Sequence, residues 1–159
     1  MKKQNSSFMT HAAMIAAIYV VLTFIFAPFS FGDIQVRIAE SLTILPIFTP
    51  AAIPGLFVGC LIGNILGGAI LPDIIFGSLA TLLGALGTFF LRKHHQFLAV
   101  LPPIISNMII VPLVLRFGYG MNLPIPLLMT TIGIGEVISC GFLGMILYYA
   151  LKRYRKIIF

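Results

Sequence analysis

Apolar residues run along this chain in long blocks, interrupted at a few places by charge, proline and glycine. Blocks at about 9–29, 73–91, 97–115 and 124–151 read as membrane-crossing helices, which need roughly 20 apolar residues each. Residues 38–71 hold a single charge, Glu40, and are too long for one crossing at roughly 1.5 Å per residue. Pro46, Pro50 and Pro54 break that stretch, predicting a short helix near 36–49 and a second near 52–70. The pattern predicts six transmembrane helices in one all-α domain spanning 1–159.

Composition agrees with that class. The chain is 60% hydrophobic and only 9% charged, whereas a soluble domain is about 25% charged. A signal peptide is the alternative for the N-terminus, because Lys2 and Lys3 precede an apolar run. The run from Met9 to Phe29 is longer than such a segment and lacks a clear cleavage site, so it reads as a retained span. No room remains for a separate soluble domain.

The net charge of +6 lies mostly in short clusters at the ends of apolar blocks, which argues for membrane topology rather than nucleic-acid binding. Lys2 and Lys3, Arg92 and Lys93, and the run Lys152, Arg153, Arg155 and Lys156 should all face the cytoplasm. An even number of crossings must then precede Arg92. Four before it and two after it put both termini in the cytoplasm. Asp33, Arg37, Glu40, Asp73 and Arg116 then fall toward the outer face. Glu136 falls near the midplane, about 18 Å into the last helix.

A charge at the bilayer centre costs at least ~2.5–3.5 kcal/mol, so Glu136 needs a reason. It reads either as a ligand or ion site, or as a structural carboxylate tied to Arg37. Arg37 and Glu40, three apart, share a helical face and could form a local salt bridge or line a pocket. Asn64 and Asn107 are amides within apolar helices, suited to interhelical hydrogen bonds or to a ligand. Asp73 follows Pro72 at a helix start and could cap it. His11, His94 and His95 are scattered and make no metal set. Cys60 and Cys140 fall within apolar blocks and make no disulfide framework. No phosphate-binding loop or nucleophile–base pairing is present, so an enzyme is not expected.

Small residues mark two close-packing faces: Ala12, Ala13, Ala16 and Ala17 in the first helix, and Gly59, Gly63, Gly67 and Gly68 around Asn64.

The segments QVRIAESLTILP (Gln35–Pro46), GNILGG (Gly63–Gly68), DIIFGSLATLLGAL (Asp73–Leu86) and GIGE (Gly133–Glu136) resemble the queuosine-precursor (QueT) family. That family belongs to the S components, the substrate-binding membrane subunits of energy-coupling factor (ECF) transporters. The resemblance covers nearly the whole chain. It implies an S-component-like bundle in the bacterial cell membrane and a substrate such as 7-aminomethyl-7-deazaguanine. It also implies partners: a transmembrane scaffold and two cytoplasmic ATPases, with no cofactor on this chain and no nucleic acid. Ala12, Ala13, Ala16 and Ala17 would contact the scaffold, and the subunit would topple in the membrane.

For such a ligand, Glu136 would hold the guanine-like edge and Glu40 the cationic arm, or Glu40 would orient Arg37; the two roles could be exchanged. Asn64, Asn107 or Arg37 would donate to the ring carbonyl, and Phe29, Phe31 or Tyr119 could stack on the ring. The alternatives are an S component for another vitamin or purine, a standalone proton-coupled carrier using Glu136, and a purely structural subunit.

Overall fold

The computed structural model describes residues 2–27 and 36–154, with side chains from residue 6 onward. Asp33, Phe29, Phe31, Arg155 and Lys156 lie outside the described residues, as do the side chains of Lys2 and Lys3. Helix α1 (Lys2–Ile25) is followed by a 3-10 helix (Ile38–Ile47), then α2 (Ala52–Leu66) and α3 (Leu71–Leu91). Helix α4 (Leu101–Leu113) has a 3-10 lead-in (Leu98–Val100) and a π-helical end (Val114–Gly118). The last rod joins α5 (Ile125–Glu136), a π-helical segment (Val137–Leu143) and α6 (Gly144–Lys152). Among the described residues there is no strand.

Four of these rods are long and apolar enough to cross a membrane: Ser6–Ile25, Leu71–Leu91, Leu98–Gly118 and Ile125–Lys152. The 3-10 helix and α2 are shorter, at 10 and 15 residues. The outer surface is apolar, with Val21, Phe24, Phe76, Phe90, Phe117 and Phe142 exposed. Glu40, Asn64, Asp73, Asn107 and Glu136 are buried inside instead. That inverted distribution suits a hydrocarbon surround, where polar groups must find partners within the protein.

The 3-10 helix is the centre of the bundle. Eight consecutive residues, Ala39–Pro46, are buried, so every face of this segment is covered. Pro46 has no N–H to give to an α-helical turn, and the Thr43 hydroxyl takes the Glu40 carbonyl at 2.6 Å. A 3-10 helix rises about 2.0 Å per residue, so ten residues reach ~20 Å, against ~15 Å as α-helix.

Glycine sets the close approaches around it. A Cβ on Gly55 would lie 2.7 Å from the Ala12 carbonyl oxygen, and one on Gly59 would lie 2.8 Å from Tyr19 Cβ. Helices α1 and α2 therefore meet backbone to backbone. At Gly84 and Gly87 a Cβ would meet Pro103 Cα at 2.6 Å and Pro102 Cβ at 2.4 Å, locking α3 to α4. Thr88 and Ser106 add hydroxyl bonds across that seam, to Ala99 O at 2.7 Å and Ala80 O at 2.9 Å.

Of the expected glycine face, Gly59 and Gly63 pack on α1, joined by Gly55. Gly67 and Gly68 do not: both are exposed, and Gly68 turns the chain out of α2 at φ 74°. The alanine face also divides. Ala16 is buried against Gly59 and Ala12 is half-buried at Gly55, whereas Ala13 and Ala17 point outward.

The two ends of the bundle differ. At one, Phe48 stacks on Tyr148 with ring centroids 5.4 Å apart, and Gln96 Nε2 donates to the Tyr149 hydroxyl at 3.3 Å. Arg92, Lys93, Lys152 and Arg153 gather at this basic end. At the other, the Ile70 N–H donates to the Tyr119 hydroxyl at 3.4 Å, above Asp73 and Arg37.

Candidate functional site

The 3-10 helix carries Glu40 into the middle of the bundle, where it is fully buried. Its Oε1 accepts from the Tyr19 hydroxyl of α1 and, at 3.0 Å, from the Thr81 hydroxyl of α3. Its Oε2 has no hydrogen-bond partner among the described residues. Glu136 approaches from the last rod, at the point where α5 gives way to π-helical winding. Cys140, four residues on, donates to Glu136 Oε2 at 3.1 Å, and the Thr43 hydroxyl donates to Cys140 Sγ at 3.4 Å. Glu40, Glu136 and Cys140 each bring one ligand atom to within 4.8 Å of the others.

Asn107 of α4 stands beside Glu136. It is 1% exposed, and neither its Nδ2 nor its Oδ1 makes a hydrogen bond of good geometry among the described residues; the same holds for Ser139 Oγ, three residues after Glu136. A second group lies toward the non-basic end. Asp73 pairs with Arg37 at 3.9 Å and accepts from the Tyr119 hydroxyl at 3.0 Å. The ion pair, to Asp73 Oδ2, is too long for a hydrogen bond, and among the described residues neither Arg37 Nη2 nor Asp73 Oδ1 has a hydrogen-bond partner. Asn64 Nδ2 donates to the Asp73 carbonyl at 3.4 Å and to Cys60 Sγ at 3.6 Å. Gly77 leaves room for this group, since a Cβ there would lie 3.1 Å from Asp73 Oδ1. Partial burial, then the Asp73 carboxylate, push the Tyr119 hydroxyl above the usual phenol range and keep it a donor.

All six expected polar residues are therefore buried in one tract, with Glu40, Glu136 and Asn107 deep and Arg37, Asp73 and Asn64 nearer the end. The pairings differ from the simplest expectations. Arg37 pairs with Asp73 rather than with Glu40 or Glu136, because it precedes the first 3-10 turn and reaches across to α3. Asp73 sits in the first turn of α3, but its carboxylate turns inward, and the N-cap position is Ile70.

Tyr19, Thr43, Cys60, Thr81, Ser139 and Cys140 also belong to the tract and were not anticipated. Two spacings could have found some of them. Ser139 and Cys140 follow Glu136 by three and four residues, and Thr43 follows Glu40 by three. Glu40, Glu136 and Cys140 form the one donor set in reach of a cation among the described residues; the histidines, weighed first as metal ligands, lie elsewhere.

Each buried polar atom left without a partner costs about 1–3 kcal/mol. Among the described residues there are six such atoms, both donors and acceptors: Arg37 Nη2 and Asp73 Oδ1 in the outer group, and Glu40 Oε2, Asn107 Nδ2 and Oδ1, and Ser139 Oγ. Two carboxylates about 5 Å apart at an effective dielectric near 20 would also repel by about 3 kcal/mol if both were charged. The arrangement can hold a polar, donor-rich and cationic guest.

A family model described as QueT transporter matches residues 9–153. The chain belongs to the QueT transporter family. It is 35% identical over 85 residues to the queuosine precursor transporter QueT of Lactococcus lactis subsp. cremoris (strain MG1363), covering 52% of this chain and 50% of that relative. The matched segment thus spans about half the relative's length. No solved structure matches the chain. QueT proteins are transporters, not enzymes, and four long apolar helices make this one a multi-pass protein of the cell membrane.

Proposed function

We propose that this QueT protein is the substrate-binding S component of an ECF importer, and that it takes up a queuosine precursor, 7-aminomethyl-7-deazaguanine. The observation that carries this reading is the deep group of buried polar atoms with no hydrogen-bond partner among the described residues, Glu40 Oε2, Asn107 Nδ2 and Oδ1, and Ser139 Oγ, in an otherwise apolar bundle. A guanine-like edge offers adjacent N–H donors to a carboxylate in charge-assisted geometry, and Glu136 takes that role. Asn107 presents both a donor and an acceptor to the ring carbonyl and ring N–H. Glu40, held by Tyr19 and Thr81, takes the cationic aminomethyl arm. Sites built on hydrogen bonds reject analogues lacking a partner group by up to ~10⁴–10⁵.

Among the described residues the tract's polar side chains are buried, and the ligand enters when the Arg37–Asp73–Tyr119 group parts. All six rods cross the membrane, with the basic end cytoplasmic; the gathering of Arg92, Lys93, Lys152 and Arg153 at one end supports this orientation. The outward Ala13 and Ala17 face docks on the scaffold, and ATP is hydrolysed by the partner ATPases. Titration calorimetry of the purified protein tests the reading. Tight binding of 7-aminomethyl-7-deazaguanine with weak binding of guanine is expected, and absence of binding to both would refute it.

A further inference from the structure

The buried tract has an unbalanced charge. Its acidic side chains are Glu40, Glu136 and Asp73, and its one cation among the described residues is Arg37, committed to Asp73 at 3.9 Å. The remaining two carboxylates lie close together, and among the described residues no cation forms an ion pair with either. Their atoms lie within 4.8 Å, and the side chains are 0% and 2% exposed. Two like charges held this close in a water-excluded site repel strongly, and a proton on one of them relieves that repulsion.

The other titratable groups packed on the pair do not supply a balancing charge. Tyr19 on α1 and Cys140 on the last rod are neutral donors to the carboxylates. Cys60 on α2 lies with its Sγ 3.4 Å from the Thr81 hydroxyl oxygen. Helix α4 contributes only the neutral Asn107.

We propose that Glu40 and Glu136 share one proton in the empty site, and that a cationic ligand binds in exchange for it. In the exchange the proton leaves to solvent, both carboxylates become ionised, and the ligand's ammonium takes the proton's place. The net charge of the buried tract is the same before and after. No uncompensated charge is created in the low-dielectric interior, which is why a cation enters at little electrostatic cost. A neutral ligand of the same shape leaves the proton in place and gains no charge-assisted bond at Glu40. The pair is thus a charge selector as well as a hydrogen-bonding site. The identity of the ligand rests on the function proposed above; the shared proton does not.

Infrared spectroscopy of the ligand-free protein at neutral pH, in a maltoside detergent that has no carbonyl, tests the proton directly. The expected result is the carbonyl stretch of a protonated carboxyl in the wild type and its loss in the E40Q/E136Q double variant. Its absence from the wild type, or its persistence in a folded double variant, overturns the proposal. Calorimetry of the wild type in phosphate, HEPES and Tris needs no variant and counts protons released from the buffer dependence of the heat. About one proton is expected per 7-aminomethyl-7-deazaguanine bound and none for 7-cyano-7-deazaguanine, with affinity for the first rising up to about tenfold per pH unit. Tight binding of the cationic compound without proton release also overturns it. If neither compound binds while the carboxyl band is present and Glu-dependent, the shared proton stands and the ligand assignment falls.

Discussion

The two halves of the polar tract solve the burial of charge in opposite ways. Near the non-basic end, Asp73 has a cation at 3.9 Å and a phenol donor at 3.0 Å, so its charge is compensated by the protein itself. Deeper in, Glu40 and Glu136 face each other with neutral donors only, and Asn107 and Ser139 lack partners. The first half is built to hold the bundle together. The second is the group proposed to bind the ligand, and single changes should separate the two roles.

The largest effect is expected from Asp73→Asn. It leaves Arg37 buried without a counter-charge, and breaking such a pair costs about 3 kcal/mol or more. Thermal unfolding in detergent should show a marked fall in stability; an unchanged transition would mean the pair is open to water and the contrast is false. Glu136→Gln should do the reverse. Loss of a charge-assisted bond to the ligand, about 1.5–3 kcal/mol, weakens binding roughly 10- to 100-fold while the melting transition is kept or rises. Equal binding by wild type and variant in calorimetry would remove Glu136 from the site.

Smaller effects sharpen the boundary. Tyr119→Phe deletes one partly exposed bond to Asp73, and about 1 kcal/mol of stability is at stake. If binding rates rise in stopped-flow measurements while equilibrium affinity barely moves, Tyr119 belongs to the closure and not to the guest's contacts. Least affected of all should be Ala13→Leu with Ala17→Leu. Both positions point outward, so stability and ligand affinity are expected to hold, whereas co-purification with a scaffold subunit should fail. Persistence of that complex would show that the outward face of α1 is not the docking surface.

The sequence alone settled the class of this protein and much of its layout. Long apolar blocks and scarce charge can only suit a hydrocarbon surround. Three prolines within nine residues flag the break between Ile47 and Ala52: Pro50 lies in it, Pro46 is next to the end of the 3-10 helix, and Pro54 is in the first turn of α2, where its missing N–H costs no helical bond. The rarity of charge also singled out Glu40, Glu136, Arg37 and Asp73, since each must be offset by something. Which residue offsets which was decided only by tertiary structure. Arg37 and Glu40 are three apart in sequence, yet the arginine reaches Asp73 on another helix because it lies just outside the first 3-10 turn. Tyr19 and Thr81 look like ordinary helix residues until the α1–α2 glycine contacts and the central 3-10 helix bring them to Glu40. The split of the alanine face has the same origin. Spacing defines a stripe on a helix, but only the position of its neighbour decides which side of that stripe is covered.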